Sequence, residues 1–229
     1  MASQIEMIET VAAALGDMVG EFVLVGGTAV PLLLSDPAVQ DVRPTEDVDL
    51  VADIETRAKH TELEERLRER GFKHATEPSA PNIRWRVKGV TVDVMPTLES
   101  VLGFSNRWYR AGFQSAGLLS LPSGASIRVL SSVYLLAAKI EAFRSRGNND
   151  FILSSDIEDI ITLIEGRPEI TTEVPAAPQS AREFVENELR DFARNEGFRS
   201  AIFGYLPPDD AGQSRFSIIM ERIRRISAG

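Results

Sequence analysis

The sequence predicts a mixed α+β (α/β) fold: a mixed β-sheet with flanking helices, followed by a helical C-terminal half. Three observations carry this. Phe22–Val25 is a short apolar run entering the glycine pair Gly26-Gly27, as a buried strand enters a helix. Ile83–Met95 alternates on both sides of Lys88-Gly89, the pattern of a two-residue hairpin. Beyond about residue 130, alternation gives way to the three-and-four spacing of helices. The chain is therefore divided into a domain at 1–128 and a helical domain at 129–229.

The first predicted element is a helix over Ile5–Leu15. Ser3 and Glu6 form a capping-box pattern, and Gly16 is a stop. After the strand Phe22–Val25, Thr28–Leu34 reads as a helix that accepts Pro31 in its first turn. Val48–Ala52 is the next strand. Asp53 is expected to cap a charged helix that ends near Gly71.

In the hairpin, pairing Val87 with Val90 sets Arg86 opposite Thr91 and Arg84 opposite Asp93. Trp85, Val87, Val90, Val92 and Val94 then share the apolar face, and Arg84, Arg86 and Asp93 the polar one. Ser131–Ser145 reads as a helix stopped by Gly147. Ser155 and Glu158 make a capping box for a helix ending at Gly166. Thr171–Pro178 is Pro/Ala-rich and is expected to be a linker. Ser180 opens a helix to about Asn195, and Phe216–Ile226 is an amphipathic closing helix. There is no internal repeat and no low-complexity tract.

Composition narrows the function classes. The 229 residues are 43% hydrophobic and 26% charged, the make-up of an ordinary globular chain. The longest apolar runs, such as Ala29–Leu34, are far short of a membrane span, and no membrane partner is expected. The opening residues lack a charged region and a long apolar core, so no signal peptide is expected. The chain has no cysteine, which excludes disulfides and thiolate metal sites and fits a cytoplasmic location. Only His60 and His74 are present, so a histidine-rich metal site is not expected.

The net charge of −9 argues against a general nucleic-acid coat. Residues 66–128 nevertheless carry ten Arg/Lys against four Asp/Glu, leaving 15 basic and 30 acidic residues elsewhere. That basic middle could hold a polyanion or be a solvated surface.

The chemistry-bearing segments are Gly26-Gly27-Thr28 and Asp47-Val48-Asp49. Side chains at i and i+2 of a strand point the same way, so Asp47 and Asp49 project together, roughly 6–7 Å apart. Two carboxylates that close repel unless a cation joins them. The plainer reading is a helix cap or surface turn. A glycine turn with open backbone N–H groups suits phosphate, and metal with phosphate points to nucleotide chemistry. Asp93 lies on the polar face of the hairpin, where a lone carboxylate is costly. It either pairs with Arg84 or, if its strand lies beside that of Asp47, completes a three-carboxylate set able to hold two Mg²⁺ ions near a triphosphate; the two readings are compatible.

Gly26-Gly27-Thr28-Ala29, followed by Arg43-x-Thr45-x-Asp47-Val48-Asp49-Leu50 and then Asp93, resembles the nucleotidyltransferase superfamily. Within it the chain is similar to the AbiEii/MenT-type toxin nucleotidyltransferases of bacterial toxin–antitoxin systems. Leu135 to Ala142, with Lys139, and Ser154 to Ile160, with Asp156 and Asp159, extend the likeness. The family's basic residue before this Asp is replaced by Ser155, and Gly147–Leu153 looks like an insertion. The likeness covers about residues 22–165.

The resemblance implies a nucleotidyltransferase-like sheet and transfer of a nucleoside monophosphate from an NTP to an acceptor hydroxyl, releasing pyrophosphate. Gly26, Gly27, Thr28 and Arg43 would bind the nucleotide. Asp47, Asp49 and Asp93 would hold Mg²⁺ (or Mn²⁺), with Asp93 assisting deprotonation of the acceptor. Lys139 would reach the triphosphate, and Asp156 would orient Lys139 or the nucleotide. The implied partners are the 3′ end of tRNA as acceptor and a cognate antitoxin protein. A cationic small molecule of the aminoglycoside kind, a protein hydroxyl, or an inactive nucleotide-binding or partner-binding module are the alternatives.

The residues alone leave several roles open. Lys139 lies on an apolar helix and either snorkels to solvent or meets buried negative charge. An acid at Asp156 is favoured by the helix dipole whatever its role. Arg43 could orient Asp47 or face solvent. Trp85 reads as core. Trp108-Tyr109, between Arg107 and Arg110, could stack on nucleic acid or serve packing.

Overall fold

The computed structural model describes residues 3–39, 42–103 and 105–228; the first two residues of the leader reading lie outside them. The chain divides into two units, Met1–Ala29 with Pro44–Ser131, and Val30–Arg43 with Ser132–Gly229.

The first unit is built on a seven-stranded sheet among the described residues: β1 (Phe22–Val25), β2 (Asp47–Ala52), β3 (Lys73–His74), β4 (Arg84–Val87), β5 (Val90–Pro96), β6 (Gly117–Ser120) and β7 (Ser126–Val129). Their spatial order is β3-β4-β5-β2-β1-β7-β6. The β2–β5 and β1–β7 pairs are parallel and the others antiparallel. All four residues of β1 are fully buried, which is why its sequence reads as an unbroken apolar run rather than an alternation.

Helix α1 (Gln4–Leu15) carries the expected capping box, with the Glu6 N–H donating to Ser3 Oγ and the Ser3 N–H to Glu6 Oε2. Helix α2 is Gly26–Leu33. It starts two residues earlier than the sequence suggests, because the chain turns at Gly26 (φ +68°) directly off β1. Pro31 therefore sits past the first turn, where it forfeits one helical hydrogen bond, and the helix ends two residues later.

Helix α3 (Arg57–Glu69) is capped by Thr56, whose Oγ1 accepts from the Lys59 N–H. Asp53 is not the cap: it accepts the Thr97 hydroxyl at 2.7 Å, fixing the exit of β2 beside that of β5. Short helices α4 (Glu99–Leu102) and α5 (Tyr109–Gln114) complete the unit. The hairpin has the register read from the sequence, Val87 opposite Val90 and Arg84 opposite Asp93. Lys88 (φ +48°) and Gly89 (φ +84°) supply the two left-handed residues its turn requires. Trp85 is core, buried against the His74 ring at 3.6 Å, and Trp108 is buried too, which decides for packing over stacking on nucleic acid.

The second unit consists of α6 (Ser132–Arg146), α7 (Ser155–Gly166), α8 (Ile170–Ala176), α9 (Gln179–Arg194), α10 (Glu196–Tyr205) and α11 (Asp210–Ser227). Residues 132–140 of α6 are all buried, so its sequence shows no polar face over that stretch. Four rings, Phe143, Phe151, Phe192 and Phe198, pack with centroids 4.7–6.0 Å apart.

Several expectations are corrected here. The cap of α7 is Ser154, whose hydroxyl accepts from the Ile157 N–H, so the box starting at Ser155 does not form. The segment expected as a linker contains α8. Ile170 and Val174, four apart, are fully buried, the Arg167 guanidinium clamps Glu173 at 2.6 and 2.9 Å, and Pro175, which forfeits one helical hydrogen bond, lies one residue from the end of the helix. Helix α10 was not foreseen. The closing helix starts at Asp210 rather than Phe216, because Asp209 accepts from the Gly212 N–H at 2.6 Å. Among the described residues no helix is long and apolar enough to cross a membrane.

Candidate functional site

The first unit brings the three predicted carboxylates onto one face of the sheet. Asp49 of β2 pairs in register with Asp93 of β5, and Asp93 with Arg84 of β4. Neighbours in register share a face, so Arg84, Asp93 and Asp49 form a row across three strands. Asp47 lies two residues along β2 on the same side. Asp47 and Asp49 are partly exposed and Asp93 is buried. The two readings of Asp93 do coexist: it lies beside Asp49 and is also ion-paired. Arg84 donates from Nε and Nη2 to the two oxygens of Asp93, both at 2.8 Å, and from Nη2 to Asp47 Oδ2 at 3.0 Å. Hydrogen bonding to Asp93 holds the guanidinium charged well above its ordinary range, against the opposing effect of burial.

The glycine corner is the other wall of this site. A Cβ on Gly26 would run into the Asp49 side chain, 2.7 Å from its Cβ and closer to the carboxylate. Gly26 is thus required twice, by its positive φ and by the approach of Asp49. Gly27 is buried. Thr28 is fully buried, and its Oγ1 has no hydrogen-bond partner among the described residues. Thr45, from the same motif, accepts from Gln4 Nε2 of α1 at 3.3 Å.

The second unit holds a different charge network. Lys139 is buried, with Nζ 2.5 Å from Asp159 Oδ2 and 3.3 Å from Asp156 Oδ1. Of the two alternatives for Lys139, burial against negative charge is the one found, and α7 supplies that charge. Arg146 donates to both oxygens of Asp156 at 3.1 Å. Arg43 is directed at Asp159 (3.2 Å) and Glu158 (3.7 Å) rather than out to solvent. Burial pushes the Asp156 carboxyl up, but Arg146 and Lys139 outweigh it and hold the group below its usual range. Burial does win at Glu158, which is raised. A cavity of about 330 Å³ opens beside this network, lined by Arg146, Gly147, Asn148, Asp150, Ser155 and Asp156 among others.

One contact of the carboxylate cluster was missed by sequence reasoning. The reach of Arg84 to Asp47 depends on the parallel β2–β5 pairing, for which no local signal exists. Asp159, which the motif likeness includes without a role, lies three residues from Asp156 on one face of α7 and is the nearer partner of Lys139.

The basic middle of the chain does not make a run of unpaired cations. Arg66 pairs with Glu21, Arg68 with Glu64, Arg70 with Asp17, Arg84 with Asp93, Arg86 with Glu77 and Arg110 with Glu55. Arg128 is spent on the carbonyls of Gly20 and Phe113.

The carboxylates fit a divalent cation only in part. Asp47 and Asp49 are oxygen donors on one face with a shared orientation, the chemistry Mg²⁺ prefers. Among the described residues, however, no group of three or more carboxylates and imidazoles is placed to hold a metal ion, and both oxygens of Asp93 already accept from Arg84. The three-carboxylate cage expected from sequence is not preformed.

No family model matches the sequence, and no curated protein matches it. Among solved structures the chain is similar to the antibiotic-resistance factor ANT(2'')-Ia, with 13% identity and a TM-score of 0.48 over 83% of this chain and 94% of that one. It is also similar to a protein from H. pylori described as a nucleotidyltransferase, with 11% identity and a TM-score of 0.44 over 98% and 90% of the two chains. A third is a tRNA nucleotidyltransferase solved with primer tRNA and an ATP analogue, with 18% identity and a TM-score of 0.28 over 93% and 62%.

Proposed function

We propose that the chain is a nucleotidyltransferase that moves a nucleoside monophosphate from an NTP to an acceptor hydroxyl. The observation that supports this most is the row of Asp49 and Asp93 in register on adjacent strands, with Asp47 beside them and Gly26 packed against Asp49. Like charges directly opposite on a sheet are destabilising unless a cation joins them, as Arg84 does here and as a bound metal ion would. In the reaction the acceptor oxygen forms a bond to the α-phosphorus, the bond to the β-phosphate oxygen breaks, and pyrophosphate leaves with that electron pair. The hydroxyl proton passes to a carboxylate of the cluster. Gly26 and Gly27 would face the phosphates with backbone N–H groups. Asp47 and Asp49 would hold Mg²⁺ or Mn²⁺, which supplies charge neutralisation at the phosphates when bound. Lys139 and Asp156 are assigned to nucleotide handling on the strength of the sequence resemblance.

The finer reading is a toxin of the AbiEii/MenT type, with the tRNA 3′ end as acceptor and an antitoxin protein as partner; it rests on the motif likeness alone. A second reading is favoured by a specific observation. At least six of the ten cations between 66 and 128 are matched to carboxylates, in a chain of net charge −9. That surface suits a cationic small acceptor better than a polyanion.

Labelled NTPs incubated with Mg²⁺ and, separately, total RNA, an aminoglycoside or the protein itself test both readings. Label on RNA supports the toxin reading, and label on the small cation supports the second. Asp49→Asn should lower transfer by several orders of magnitude at an unchanged melting temperature. Tight NTP binding without transfer to any acceptor would instead mark an inactive binding module.

A further inference from the structure

We propose that the second unit holds a binding site for a small organic ammonium ion, in a cavity of about 390 Å³ lined by one face of α7, the end of α10 and Arg215 of α11. The inference goes beyond the nucleotidyltransferase reading and does not rest on it. None of the lining residues belongs to the carboxylate cluster or is assigned to the nucleotide.

The cavity is built within one unit. Helix α7 supplies Glu158, Ile161, Thr162 and Glu165, whose three- and four-residue spacing puts them along one side of the helix. Tyr205 closes α10, Leu206 and Pro207 follow it, and the exposed Ala38 also lines the space. The volume is in the ordinary range for small-molecule sites, about 300–1,000 Å³.

Two polar groups there make no side-chain hydrogen bond among the described residues. Thr162 is only 8% exposed, yet its hydroxyl has no such partner. The Glu158 carboxylate has an ion pair instead, with Arg43 Nε at 3.7 Å, and Arg43 stands closer to Asp159, at 3.2 Å. Burial pushes the Glu158 carboxyl up; Arg43 opposes this without cancelling it, and Asp159 adds to it. Polar groups taken from water are costly until something hydrogen-bonds to them.

The class of ligand follows from what is already matched. Arg215, the cation that lines the cavity among the described residues, pairs with both Asp36 and Glu165, so an anion finds no open donor in it. A metal ion is not suited, since no group of described carboxylates and imidazoles is placed to hold one. An ammonium group is suited. It has donors for both Glu158 and Thr162, which are one helical turn apart. The Tyr205 hydroxyl is anchored on the carbonyls of Ile152 and Ser154, which holds an aromatic ring of the kind that attracts organic cations. Ile161, Leu206 and Pro207 then offer apolar surface to the body of the ligand.

Titration calorimetry of the intact chain with 2-phenylethylamine, one ammonium on a short apolar body, tests this at neutral pH. Its uncharged counterpart is 2-phenylethanol. The amine should bind saturably at one site per chain, and the alcohol about tenfold more weakly or worse, the loss of hydrogen bonding between charged groups. Glu158→Gln should weaken the amine by a similar factor and leave the alcohol unchanged. Thr162→Val keeps the shape and should weaken the amine about fivefold. It should do so with no fall in melting temperature, because the hydroxyl has no partner among the described residues to lose. Ala38→Trp, at an exposed position where folding is not at risk, should block both ligands.

No saturable binding of the amine, or equal affinity for amine and alcohol, would overturn the inference. Amine binding undiminished in Glu158→Gln or in Ala38→Trp would overturn it too, by placing the amine elsewhere. Each of these results leaves label transfer from NTPs, and so the enzymatic reading, untouched.

Discussion

At the scale of single residues, Gly26 and Asp49 are one constraint seen from two strands. The positive φ of Gly26 costs an L-residue roughly 1–2 kcal/mol before any contact is counted, and the missing Cβ is the space that Asp49 fills. Gly26→Ala should therefore destabilise by more than that backbone cost. In an Asp49→Ala background the same change should cost measurably less, a coupling that a thermal or urea double-mutant cycle reads directly. Strictly additive losses would show that the two residues do not contend for that space. Lys139 poses the same kind of question in the second unit. It is buried between Asp156 and Asp159, so Lys139→Met removes one cation from a buried pair of acids and should cost about 3–5 kcal/mol. Lys139→Met/Asp159→Asn should recover part of that loss, since the charge left behind is removed too. A loss that the second substitution does not relieve would mean the lysine's packing, rather than its charge, is what the unit needs.

Among elements, the hairpin was legible to the residue because its two ingredients are local: strict alternation and a Lys88-Gly89 turn whose backbone angles admit one register. The capping box of α1 was legible for the same reason. What failed was non-local or compositional. Pro and Ala between 171 and 178 suggest a linker, but burial of Ile170 and Val174 and the Arg167–Glu173 clamp form α8 there. The carboxylates were legible as a motif, and the guanidinium joining Asp47 to Asp93 was not, because it needs strands that meet only in the sheet. The turn between α6 and α7 shows how a distant element can fix a segment with no periodicity. Asn148 and Asn149 take positive φ, and Asp150 Oδ1 accepts from the N–H groups of Ile152 and Leu153. The Tyr205 hydroxyl of α10 then reaches the carbonyls of Ile152 and Ser154. Burial, with Glu158 and Asp150 nearby, pushes this phenol up to about 12, so it stays a donor throughout the stable range. Tyr205→Phe should cost about 1 kcal/mol and speed proteolysis beside Leu153, which is already largely exposed. An unchanged cleavage rate would show that the Asp150 turn holds the segment without help.

For the molecule as a whole, the carboxylates of the second unit set opposed pH limbs. Asp156 is buried, which alone would raise it, but Arg146 and Lys139 lower it; Glu173 is lowered first by its hydrogen bond from Arg167. Their ordinary values are 3.8 and 4.5, so the stability they contribute is fully present above those values and drains away as pH falls below them. Glu158 and Glu165 behave oppositely, since burial raises both above 4.5. Between that value and their raised ones the folded chain binds more protons than the unfolded, so stability falls as pH climbs through the window. The two limbs together place maximum stability on the acid side of neutrality. Glu158→Gln separates them. Its partner Arg43 keeps Asp159 at 3.2 Å, so deleting the Glu158 charge leaves no cation without a carboxylate. The variant should melt higher than the wild type at pH 7, converge with it below pH 4, and retain the acid loss that Asp156 and Glu173 impose. A variant that melts lower than the wild type at pH 7 would mean that the 3.7 Å contact with Arg43 outweighs the burial of Glu158, and the neutral-side limb would then have to come from Glu165 alone.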